Sequence, residues 1–110
     1  MVEVICINDK NRPSEIPSEK WIKKDSSYHI WWIDKIMLMG GQLGCKLEEI
    51  WLDDSCYPYE YFMLSRFAIL NTKENLEALE ELLKESKDAS EVDIDELLKI
   101  EEFELIENNI

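Results

Sequence analysis

Residues 28–42 read Tyr-His-Ile-Trp-Trp-Ile-Asp-Lys-Ile-Met-Leu-Met-Gly-Gly-Gln, and this stretch decides the fold. Tyr28 to Met39 is the longest apolar run in the chain. Aromatic and β-branched residues fall on both faces of the extended backbone, as in a strand that is central or presented to a partner. Gly40-Gly41 then supplies the positive φ values that a tight hairpin demands. The chain therefore turns back on itself, and Leu43 to Leu52 is expected as the returning strand. Its pattern breaks at Glu48-Glu49, because Leu47, Ile50 and Leu52 cannot share one face without an extra residue. A β-bulge at Glu48-Glu49 would restore the register.

Working outward, Val2 to Ile7 is a β-branched opening strand closed by Asn8-Asp9. Residues 8–20 are polar, and Pro13 and Pro17 block helix and central strand alike. They form a long loop before Trp21-Ile22 resumes the core and Asp25-Ser26-Ser27 turns the chain. On the far side, Asp53-Asp54-Ser55 is a turn. Pro58-Tyr59-Glu60-Tyr61-Phe62 reads as a short 3₁₀ turn, and a last strand runs through Arg66-Phe67-Ala68-Ile69-Leu70.

The chain changes character after Leu70. Residues 1–70 carry 11 acids and 8 bases, whereas residues 71–110 carry 14 acids and 4 bases. Every Gly, Pro, Trp and Tyr lies in the first part, so 1–70 is expected as a small β-barrel domain and 71–110 as an acidic extension of two helices. Thr72 or Asn71 can cap the first, with acids in its opening turn. Leu76, Leu79 and Leu83 form its apolar stripe, widened by Leu82. Ser90-Glu91-Val92-Asp93 restarts a helix whose stripe is Ile94, Leu97, Leu98 and Phe103, with Ile100 and Leu105 less well placed. Helices this short need a surface to pack on.

The 110 residues suit one domain with an appendage. A 45% hydrophobic share can build a core, and a net charge of −13 disfavours a polyanion as partner. No apolar run reaches the roughly 18 residues of a membrane span, and the first residues do not read as a secretory signal. Three widely spaced cysteines, Cys6, Cys45 and Cys56, fit a reducing, cytoplasmic setting as buried thiols. With no C-x-x-C pair and one histidine, His29, no Cys/His zinc signature exists at standard spacing, and no cofactor is expected.

The order of elements in residues 2–70 resembles a small Src-homology-3-like barrel. The likeness lies in the opening strand, the long loop over 8–20, two strands joined by Gly40-Gly41, a short 3₁₀ turn near Tyr61-Phe62, and a closing strand through Arg66-Phe67. The Ala-Leu-Tyr-Asp-Tyr opening of the polyproline-binding members is absent, so that activity is not implied. The chain is also similar to short uncharacterised proteins of gut anaerobic bacteria and their phages. The carrying phrases are Val-Ile-Cys-Ile-Asn-Asp-Lys-Asn-Arg-Pro, Glu-Ile-Pro with Lys-Trp-Ile-Lys-Lys, Leu-Glu-Glu-Ile and Ser-Arg-Phe-Ala-Ile. Those relatives imply a glycine where this chain has Asp25 and a hydrophilic strand where it has Trp31-Trp32. They carry no function.

No residue set announces catalysis. A nucleophilic cysteine would depend on His29 as base, and neighbouring carboxylates at Glu48/Glu49 and Asp53/Asp54 point apart on a strand. There is no phosphate-binding, dinucleotide-binding, zinc-protease or EF-hand motif. Lys10, Arg12, Lys20, Lys23 and Lys24 cluster near Trp21, but interleaved acids dilute the patch, which argues against nucleic acid. Trp31, Trp51, Tyr57, Tyr59 and Tyr61 are the candidate partner surface. The expectation is a non-enzymatic interaction or regulatory module with a protein partner, a homodimer included. The rival is a nucleic-acid mimic that acts through the acidic residues 74–107.

Overall fold

The computed structural model describes residues 1–36, 40–87, 89 and 92, together with the backbone of residues 104–107. It is a small α+β domain. Five strands form an antiparallel sheet in the order β4-β3-β2-β1-β5: β1 (Val2–Cys6), β2 (Ser27–Ile36), β3 (Gln42–Leu47), β4 (Phe62–Met63) and β5 (Phe67–Asn71). One helix, α1 (Lys73–Glu85), packs against β1, β2 and β5. A sixth strand, β6 (Glu104–Glu107), lies parallel to β5 at the sheet edge. No helix among the described residues is long and apolar enough to cross a membrane.

The expected bulge exists, but on the other strand. Ile30 pairs with Leu47 and Trp32 with Lys46, so the extra residue is Trp31 in β2 rather than Glu48 or Glu49. An unpaired residue shifts the alternation by one. Ile30 and Ile33 therefore both enter the core, while Trp31 and Trp32 are left at the surface to differing degrees. The same shift removes the need for a long return strand. β3 stops at Leu47, and Ile50 and Leu52 become half-buried loop residues. The hairpin glycines sit at φ +71° and +80°, as the turn requires. Gly44 serves a different need: a Cβ there would lie 2.4 Å from Ile36 Cδ1 and 3.2 Å from Tyr61 Cβ.

The chain between β3 and β5 also departs from expectation. The turn at Asp53-Asp54-Ser55 tightens into a 3₁₀ helix, Asp54–Cys56, capped by the Asp53 side chain. Tyr61-Phe62 is not a 3₁₀ turn. Phe62 opens β4, and the 3₁₀ turn falls at Leu64–Arg66, directly before β5 starts at Phe67. Burial accounts for it: Phe62, Leu64 and Phe67 are all core residues, and the strand–turn–strand path delivers all three inward.

Residues 8–17 are loop as expected, whereas Ser18–Lys20 close it as a short 3₁₀ helix, and buried Ile16 and Ile22 anchor the segment. Arg66 donates from Nη1 to the carbonyls of Asn8 (3.2 Å) and Lys10 (2.8 Å). Trp21 Nε1 donates to the Asp9 carbonyl at 2.6 Å. Asp25, the position where the resemblance implies a glycine in the relatives, has φ +70°. Asp is among the few non-glycine residues that tolerate this left-handed region.

Thr72 is the N-cap of α1, its hydroxyl accepting from the Asn75 backbone at 3.1 Å. Leu79 and Leu83 enter the same core as Val2, Val4, Ile30 and Ile69, with Leu76 and Leu82 packed at its margin. Asn75 continues that buried stripe one turn earlier, which its polarity would seem to forbid. It is tolerated because its amide replaces a strand partner. Oδ1 accepts from Glu3 N–H at 2.6 Å, while Nδ2 donates to the carbonyls of Glu3 (2.9 Å) and Leu70 (2.8 Å). Asp34 ties the segment after the helix to β2, accepting from Lys87 N–H at 3.0 Å. The second helix expected from Ser90 falls mainly on residues outside those described. Leu105, assigned to that helix, instead belongs to the strand β6.

Candidate interaction groove

The β2 bulge and the loop after β3 build one groove between them. The bulge turns Trp31 outward, leaving it 39% exposed, and the loop brings Trp51 to the same cleft at 67% exposure. The cleft encloses about 290 Å³; Leu47, Ile50, Leu52 and Phe62 supply its apolar lining and Asp53, Asp54 and Glu60 line it with acid. Two of the five nominated aromatics, Trp31 and Trp51, are thus brought together. Tyr57 and Tyr59 are exposed on the neighbouring loop at 79% and 38% and do not line the cleft. Tyr61 is spoken for, its ring stacked on Trp32 with centroids 5.1 Å apart and planes 17° from parallel. Burial, with Glu60 and Asp34 nearby, raises its phenol pKa and keeps the hydroxyl protonated.

Lys46 is the residue the sequence reading missed. Its Nζ lies 4.9 Å from the Trp32 ring centroid, 5.4 Å from that of Tyr61 and 5.7 Å from that of Trp31. Indole and phenol faces are negative, so they attract an ammonium at this range. The signal was Lys46 itself, which stands opposite Trp32 in the β2–β3 register. It became readable only once the bulge was placed on β2.

The rim is braced by an ion pair. Lys20, from the first loop, pairs with Asp53, which also accepts from the Ser55 backbone at 3.0 Å. The Lys20 bond, helped by those from Ser55, holds the Asp53 carboxyl down to about 2. The same bond raises Lys20. Just past the end of β3, Glu49 accepts from His29 N–H at 2.8 Å and meets His29 Nδ1 at 2.6 Å. Burial pushes the Glu49 carboxyl up, but its hydrogen bonds, chiefly from the His29 ring and backbone, outweigh this and hold it below the ordinary value. Glu49 thus stands in for a strand partner that β3 no longer provides.

His29 therefore faces a carboxylate. The three thiols are fully buried, and burial raises the pKa values of Cys6 and Cys45. A buried, protonated thiol is a poor nucleophile. Among the described residues, no group of three His, Cys, Asp or Glu side chains gathers to hold a metal. The basic loop is occupied as well. Trp21 carries the Arg66 guanidinium 4.9 Å from its ring centroid and packs against Phe62 at 5.8 Å. Of the acidic 74–107 region, the described residues show α1 with exposed glutamates on its outer face and the backbone of β6. In comparisons with known proteins, no family model, no curated protein and no solved structure matches this chain.

Proposed function

We propose that this chain is a small Src-homology-3-like barrel serving as a non-enzymatic protein-interaction module, with the Trp31–Trp51 groove as its contact surface. The strand order, the long first loop and the 3₁₀ turn before the closing strand support the barrel reading. The observation that carries the function is the exposure of two tryptophans in one acid-lined apolar cleft. Tryptophan is enriched among residues that dominate binding energy, and a small domain rarely leaves two at the surface without a use for them.

The test is photo-crosslinking in the native cell, with a photoreactive residue at position 51 and a control at exposed Glu77 on α1. The expected result is a discrete crosslinked protein from position 51 only, suppressed by Trp31→Ala. A product of twice the chain mass identifies a second copy as the partner. No product from position 51, or the same product from position 77, overturns the reading.

A further inference from the structure

The groove's chemistry narrows its occupant. Three carboxylates line it, from Asp53, Asp54 and Glu60, against one cation, Lys46. Asp53 is already paired with Lys20; Asp54 and Glu60 stand exposed on the rim as carboxylates, Glu60 beside the Tyr61 hydroxyl that hydrogen-bonds it. Lys46 is engaged with three aromatic rings, one of them Trp31. An anionic occupant would meet three carboxylates against one lining ammonium, and that ammonium already lies over the aromatic wall. A purely apolar occupant would satisfy Ile50 and Phe62 but leave the rim acids without partners. A long cationic side chain satisfies both: its methylenes lie along the apolar lining, and its head reaches the acids across an indole face. The structure contains a worked case of that contact, since Lys46 already lies across the adjoining aromatic wall. The whole chain, at −13, adds a field that draws basic partners in.

We infer that the Trp31–Trp51 groove receives an arginine or lysine side chain from a basic segment of a protein partner. This rests on the reading of the groove as an interaction surface, and it adds the chemistry of what enters. Arginine fits better than lysine, because its planar guanidinium stacks on indole while donating in-plane to a carboxylate.

The probe is a library of random dodecapeptides displayed on phage and selected against the immobilised full-length chain, with Trp51→Ala used for counter-selection. Trp51→Ala leaves net charge untouched, so peptides held by charge alone are removed. The expected survivors are rich in arginine and lysine. Synthetic versions should lose at least 10-fold in affinity on Trp51→Ala, and about 5-fold or more on Asp54→Lys or Glu60→Lys. Glu77→Lys and Glu81→Lys, the same charge change on exposed positions of α1, should matter less. Urea unfolding of each variant confirms an intact fold. Survivors without cationic residues, or an affinity indifferent to Asp54→Lys and Glu60→Lys, overturn the cationic occupant and leave the interaction surface standing. If no peptide depends on Trp51, both fall.

Discussion

The seam where α1 meets β1 and β5 and the groove between β2 and the loop after β3 use similar residues to opposite ends. At the seam, leucines are buried and the one polar side chain, Asn75, makes three hydrogen bonds to two strands. At the groove, tryptophans stand exposed and the polar side chains line the opening. Among the described residues no buried side-chain nitrogen or oxygen lacks a partner. The seam thus has nothing left to offer a second molecule. The groove has both apolar area and exposed charge, and what separates the two is completeness, not composition.

The sharpest way to break this contrast is Asn75→Ala. It strands the Glu3 N–H and C=O and takes one partner from the Leu70 carbonyl, and each orphaned buried group costs about 1–3 kcal/mol. A loss of about 3 kcal/mol is expected in urea unfolding. A loss below about 1 kcal/mol would mean that water reaches the seam and that its closure is only apparent. Gly44→Ala comes next. The new methyl must displace Ile36 Cδ1 and crowd Tyr61 Cβ, with an expected cost of about 1–2 kcal/mol by the same measurement. A neutral result would show that the groove side of the sheet yields easily, sharpening the difference in rigidity.

Third is the Lys20–Asp53 brace. Its carboxyl titrates lower in the folded chain (about 2) than its ordinary value of 3.8, so the pair stabilises fully above the ordinary value. That contribution is lost as pH falls towards 2. The melting temperature of Asp53→Asn should therefore lie slightly below wild type at pH 6, and the gap should close between about pH 4 and pH 2. A gap that persists at pH 2 would mean that the brace is not electrostatic. The smallest effect is predicted for Trp51→Ala, which should change stability by less than about 0.5 kcal/mol. A substantial loss would show that Trp51 belongs to the core after all, and the groove would lose its claim as a surface.

Much of the architecture could be read from local signals. The opening strand, the Gly40-Gly41 turn, the Thr72 cap and the Leu79/Leu83 stripe each depend on residues close in sequence, and the structure carries all four. The failures share one cause. A bulge belongs to a pair of strands, so the broken pattern in residues 43–52 reveals an extra residue without telling which strand holds it. Asn75 finds its main partner 72 positions away, and no window of sequence contains both. Residues 104–107, Glu-Leu-Ile-Glu, are too short for periodicity to choose between helix and strand; pairing with β5 decides it. In the groove, Trp31 and Trp51 are legible as exposed aromatics, while the stacking of Tyr61 on Trp32 depends on a pairing between distant segments that no local pattern reveals.

The three buried thiols have a practical consequence for labelling chemistry. Cys6, Cys45 and Cys56 have no exposed surface, and a maleimide attacks only an accessible thiolate. A single cysteine introduced at an exposed position outside the groove lining, such as Tyr57 beside the groove or Glu77 on α1, should therefore take a fluorophore selectively, with the native cysteines left in place. One dye at the groove and another on the helix would then report occupancy of either surface in the otherwise unaltered chain, and unintended labelling of a native thiol would serve as a direct signal that the core has opened.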